Sequence, residues 1–159
     1  MAASAAAMCD GIGMKGSRRD EVYVGAVPLR AAKGAPQLLM AAAYSLNPWS
    51  DLQHYLVLIR PTTPSAQAMV FDFQPKDPEN LYVALAALSG RHVPGVLKVR
   101  NLAKLPKQKC WFVGYSYQNS IDVANKFNES WETDLRIGGH DCRHYTNEEP
   151  GGPEAFAQH

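Results

Sequence analysis

Three cysteines, Cys9, Cys110 and Cys142, are all that 159 residues contain, and none has a close partner in sequence. That count and spacing fit reduced thiols in an intracellular protein better than a disulfide framework. Charge of one sign is also lacking: 16 Lys and Arg face 15 Asp and Glu, for a net charge of +1. With no basic block, phosphate contacts have little to draw on, which argues against nucleic-acid binding. No apolar run approaches the roughly 20 residues needed to span a bilayer. Charged residues are only 19% and hydrophobic residues 46%, the balance of a globular chain rather than a disordered one. The length suits one domain with a core of useful size.

The first 19 residues are small, Gly-rich and weakly patterned, and read as a flexible arm. Their apolar middle is too short for a secretory signal. A cytoplasmic location is expected. A plastid or other organelle is the alternative, since acids are few and Ser4, Ser17, Arg18 and Arg19 are present, although Asp10 speaks against a transit segment. The domain proper is expected over 20–149, and 150–159 is read as a flexible, truncated tail.

Strands and helices alternate along the body. "EVYVGAVPL" has strand character, whereas "PQLLMAAAYSL" suits helix or extended chain equally. "HYLVLI", His54 to Ile59, is the clearest strand, and its nearly continuous apolarity predicts burial on both faces. A Pro-punctuated turn follows, and then "AMVFDF", Ala68 to Phe73, as the return strand of a hairpin. "KDPENLYVALAALSG" predicts a helix capped by Asp77, with Pro78 in its first turn and Gly90 at its end. Leu81, Ala84, Leu85 and Leu88 would form its buried stripe. "GVLKV" and "KCWFVGY" predict two more strands across a Lys-rich connection. "NSIDVANKFNESW" predicts a helix with Val123, Phe127 and Trp131 in a row. The fold class expected is α+β, an antiparallel sheet packed with helices.

Three residues stand out chemically. His54 opens a strand that is otherwise apolar, so it needs a hydrogen-bond partner or a task. Asp72 lies between Phe71 and Phe73 on the return strand, where a carboxylate is costly unless paired. In a near-regular register either Asp72 or Gln74 approaches His54. Cys142 follows Gly138, Gly139, His140 and Asp141 and heads a stretch of helical character. A cysteine at a helix start is favoured as thiolate, and the glycines allow a tight turn and close approach of a substrate.

The residues alone leave three readings of Cys142: nucleophile, small core residue, or metal ligand. In a strand His140, Cys142 and His144 would share a face and could bind zinc; in a helix Cys142 would point elsewhere. A fourth ligand would have to come from afar, for example His92, which reads as an exposed loop residue. No metal and no cofactor is expected.

The order of these pieces resembles the circularly permuted papain-like fold. A histidine opens "HYLVLI", a polar residue stands late in "VFDFQP", a helix "SIDVANKFNESW" follows, and "HDCRHYTN" begins a second helix at its cysteine. Members of that group include lecithin:retinol acyltransferase-like enzymes, related phospholipase/acyltransferases and the PPPDE peptidases, all relatives of NlpC-type hydrolases. Their cysteine sits in an Asn-Cys-x-x-Phe-like context; here Asp141 replaces the Asn and Tyr145 takes the aromatic place. The resemblance implies Cys142 as nucleophile, His54 as general base and Asp72 as the orienting residue, with an oxyanion site at the Cys142 N–H. Aspartate is a departure, since the lipid-acting members often carry a second histidine there.

The implied activity is that of a cysteine-dependent hydrolase or acyltransferase acting on an amide, isopeptide or ester carbonyl of a peptide or acyl substrate. The alternative is a catalytically weak member of the fold serving as a binding or regulatory module. An unrelated α+β binding domain is the third reading. "PGGPEAFAQH" cannot continue the helix that Cys142 heads, which predicts a short and loosely held helix.

Overall fold

The computed structural model describes residues 19–28, 53–63, 66–116 and 119–148, together with positions 35 and 38. Its elements run β1 (Asp20–Pro28), β2 (Gln53–Arg60), β3 (Ala68–Pro75), α1 (Leu81–Leu88), β4 (Val93–Leu102), β5 (Cys110–Ser116), α2 (Ser120–Ser130), β6 (Asp134–Leu135) and α3 (Cys142–Glu148). The six strands form one antiparallel sheet in the order β5-β1-β2-β3-β4-β6. The class is α+β, as the alternating pattern predicts.

Central position explains the composition of β2 and β3. Val57, Ile59, Phe71 and Phe73 face one core, together with Val22 of β1. Leu56, Leu58 and Val70 form a smaller cluster with Tyr23, Leu102 and Cys110 packed against it. Each strand therefore has apolar neighbours on both sides, and a continuous apolar run follows. The larger core also takes Ala87 of α1, Ala124 of α2 and Tyr145 of α3, so these helices cover the same face of the sheet.

Two details of α1 differ from expectation. The cap is Asn80, whose side chain accepts from the N–H groups of Tyr82 and Val83; Asp77 instead closes a turn, its carbonyl accepting from Asn80 N–H at 3.1 Å. The buried face holds Val83, Ala86 and Ala87, while Leu81 and Leu85 are exposed. "LYVALAAL" is apolar nearly all round, so spacing alone does not say which side turns inward. The end is as predicted: Gly90 takes a φ of 73° just beyond the helix, a conformation that costs other residues more. In α2 the inward side carries Ile121, Ala124 and Phe127, with Trp131 at the end, and Val123 is half-buried beside it.

The expected arm at 1–19 lies outside the described residues save for Arg19, and the tail at 150–159 lies outside them altogether. "PQLLMAAAYSL" also falls outside, apart from Leu38, which is helical. No helix among the described residues is long and apolar enough to cross a membrane.

Candidate active site

The site forms where two strands stop pairing. β1 and β2 pair without interruption to Val27↔His54 and Pro28↔Gln53. The β2–β3 ladder, by contrast, ends at Val57↔Phe71. Continued, that register would set Gln74 opposite His54 and Asp72 on its diagonal, within reach of a long side chain. The chosen partner is Asp72: its Oδ1 takes the hydrogen bond of His54 Nε2. Both residues are buried, His54 at 8% and Asp72 at 4% exposure. A buried imidazole and a buried carboxylate thus satisfy each other, which is the condition for either to lie there. The second Asp72 oxygen stands 4.0 Å from Arg100 Nη2 on β4.

Cys142 completes the constellation from the helical layer. It is the first residue of α3 and is half-buried. Its thiol is within hydrogen-bonding reach of the His54 ring. Nε2 is engaged by Asp72, and Nδ1 is the ring nitrogen not used in that bond. Burial by itself would lower the His54 pKa. Hydrogen bonds with Asp72 and then Cys142, and their charges, outweigh it and push the value up to about 9.

The turn before Cys142 explains how α3 is aimed. Arg136 and His140 exchange backbone hydrogen bonds of 2.9 and 2.8 Å, and Gly138 takes a φ of 79° between them. Asp141 caps the helix: its Oδ1 accepts from Arg143 N–H at 2.9 Å and its Oδ2 from Gly138 N–H at 2.7 Å. His144 Nδ1 lies 3.0 Å from the same carboxylate. Burial would raise the Asp141 pKa, but the bonds from Gly138, His144 and Arg143 prevail and hold it below the usual carboxylate range. An acid at this position is thus used in the turn, and the Cys142 N–H is not taken by that cap.

Far from being loosely held, α3 is anchored by Tyr145, which is fully buried. The Tyr145 hydroxyl donates to Asn128 Oδ1 of α2 at 2.7 Å. Its ring meets Phe73, Phe127 and Trp131 at centroid distances of 6.0, 5.7 and 5.4 Å. Seven described helical residues suffice because one of them is a large aromatic filling the centre of the core.

His140 and His92 have partners of their own. His140 stacks on Trp131 at 4.4 Å with an interplanar angle of 14°, and its Nε2 donates to the Glu132 carbonyl at 2.8 Å. His92, exposed as expected, pairs with Asp134 at 2.6 Å. Neither joins Cys142, and α3 is helical, so the strand arrangement that zinc binding required is not formed. Among the described residues no group of three His, Cys, Asp or Glu side chains is gathered as a metal site. Cys110, at the start of β5, is half-buried against the smaller core, and burial pushes its thiol pKa up.

A cavity of about 270 Å³ adjoins the site. His54, Asp72 and Arg100 line it, and Cys142 does not. Nothing in the sequence singled out Arg100, because its proximity to Asp72 comes from the β3–β4 pairing, in which Val70 stands opposite Arg100. No known protein family, curated protein or solved structure matches this chain.

Proposed function

We propose that the chain is a cysteine-dependent hydrolase or acyltransferase of the permuted papain-like kind, with Cys142 as nucleophile, His54 as acid and base, and Asp72 as the orienting residue. One observation carries the reading: a single buried imidazole is held by a carboxylate on one nitrogen while a helix-heading thiol lies at the same ring. That is the nucleophile, base and orienter arrangement of thiol acyl transfer.

In the reaction, Cys142 gives its thiol proton to His54 and its sulfur adds to the carbonyl carbon of an amide, isopeptide or ester. The bond to the leaving nitrogen or oxygen then breaks, and that atom takes the proton of the His54 imidazolium. A thioester remains on Cys142. Water or an acceptor amine or hydroxyl attacks it, giving its proton to His54 as the carbon–sulfur bond breaks. Asp72 keeps the ring oriented and stabilises its charged form throughout. The Cys142 N–H is available to the oxyanion.

The experiment is trapping. The protein is mixed with an activated acyl ester, p-nitrophenyl acetate, and analysed by peptide mass spectrometry. An acetyl group on Cys142, formed and released with turnover and absent in His54→Ala, supports the enzyme. One observation favours a binding module instead: the cavity reaches His54 and Asp72 but leaves Cys142 out of its lining. That reading prevails if Cys142 is acetylated no faster than Cys110 and His54→Ala makes no difference.

A further inference from the structure

The cavity beside His54 has two unlike walls. Val83, Ala84 and Leu88 of α1, with Ile137, make an apolar side. His54, Asp72, Gln74 and Arg100 make a polar one. Its volume, about 270 Å³, falls just below the range of about 300–1,000 Å³ usual for small-molecule sites. A short aliphatic chain matches such a space.

Charge defines the rest of the ligand. The Asp72 carboxylate is already engaged, by His54 through one oxygen and near Arg100 through the other. Arg100 is the one permanent cation among the described lining residues, and its side chain is 57% exposed, so it stands toward the mouth. At 4.0 Å from Asp72 it makes no close hydrogen bond there, which leaves its planar fork of donors able to receive an anion. Among the described lining residues Arg100 thus sets a permanent positive charge at the exposed end of the polar wall.

We propose that this cavity is a binding site for a short aliphatic carboxylate, the carboxylate on Arg100 and the chain against Val83, Ala84, Leu88 and Ile137. Such binding goes beyond the thiol chemistry and does not require it. The test therefore uses the full chain carrying Cys142→Ser, in which acyl transfer cannot occur, and follows backbone amide resonances on titration with butyrate, 1-butanol or palmitate. Butyrate should shift Val83, Ala84 and Ile137 and bind about ten-fold more tightly than 1-butanol, which has the chain without the charge. Arg100→Gln, on an exposed side chain, should remove that advantage. Ala84→Leu should fill the cavity and abolish binding of both. Three results would each overturn the proposal: no butyrate binding, equal affinity for butyrate and 1-butanol, or an Arg100→Gln protein that binds butyrate unchanged. Palmitate binding as tightly as butyrate at the same residues would overturn the short-chain assignment. Turnover by the protein with Cys142 intact is read separately, so loss of the enzyme reading leaves this result standing.

Discussion

Asp72 holds Nε2 of His54, and Cys142 acts on the same ring from the start of α3. His54 and Asp72 are 18 positions apart and sit on neighbouring strands whose ladder has already ended. The pairing is therefore made by side chains in a seam of the sheet. Its chemical consequence is a fixed ring orientation, without which a histidine can neither take nor return a proton at a defined atom.

Reactivity of the thiol is the first expected consequence. Iodoacetamide near pH 6 should label Cys142 well ahead of Cys110, which burial keeps protonated. His54→Ala should slow Cys142 and leave Cys110 unchanged. Site-resolved mass spectrometry measures both. Equal rates at the two thiols, indifferent to His54→Ala, would reduce Cys142 to a structural residue.

Much of this site is legible in the sequence, for physical reasons. A histidine at the head of "HYLVLI" and an aspartate between Phe71 and Phe73 are each costly alone, so mutual satisfaction is the economical solution. Cys142 is legible as a helix start because Gly138, Gly139 and Asp141 are turn and cap residues. What the sequence hides is set by tertiary packing. The orientation of α1 is hidden because "LYVALAAL" offers apolar residues on every side. The cap is hidden because Asp77 and Asn80 both have capping side chains, and the Asp77 carbonyl closes a turn that sets Asn80 at the helix start. The Trp131–His140 stack and the β6 strand depend on loops folding back, which no periodicity records. The anchoring of α3 is hidden because it comes from Tyr145 meeting Phe73, Phe127 and Trp131, which the length of the helix does not record.

Stability should depend on pH through His54. Its pKa is raised from 6.5 to about 9 on folding. The pair's contribution is then fully present below about pH 6.5 and is lost as pH rises through 9. The loss should be on the order of 1–3 kcal/mol, since His54 is buried and poorly screened. Urea unfolding of the wild type and of Asp72→Asn, at pH 6 and pH 10, isolates it. The two proteins should differ clearly at pH 6 and converge at pH 10. A gap that is constant with pH would show that the His54–Asp72 bond carries no charge.

Asp72 has a graded series of its own. Asp72→Asn keeps volume and one hydrogen bond, so the chain should fold, yet thiol labelling should fall because the His54 cation loses its counter-charge. Asp72→Ala should cost more stability, about 1–3 kcal/mol, because His54 is left buried without its partner. Labelling rates and denaturant midpoints separate the two effects. Silence of both substitutions in both measurements removes Asp72 from the triad and leaves a His–Cys pair.

Gly95 tests the strand beside the site. A Cβ there would lie 2.5 Å from Phe73 Cε2 and 2.8 Å from the Thr133 carbonyl oxygen. Gly95→Ala must therefore move either the ring or the backbone, at a cost of about 1–3 kcal/mol. Phe73 is next to Asp72, so the strain should also reach thiol labelling. Unchanged melting would mean that β4 yields freely at this point.

Tyr145 joins the position of Cys142 to the core, and two substitutions distinguish its ring from its hydroxyl. Tyr145→Phe leaves the contacts with Phe73, Phe127 and Trp131 and removes the 2.7 Å bond to Asn128. It should cost about 1–2 kcal/mol, since Asn128 Oδ1 loses a partner but is only partly buried. Cys142 labelling should stay near the wild-type rate, because the ring still fixes the helix. Tyr145→Ala removes the largest fully buried side chain of the core and should cost about 3–5 kcal/mol. If the chain still folds at low temperature, α3 should be free to shift, and Cys142 should become independent of His54: labelling in Tyr145→Ala should no longer change when His54→Ala is added. Persistence of the His54 effect in that background would show that the Asp141 cap and the Gly138 turn hold Cys142 in place without help from the core.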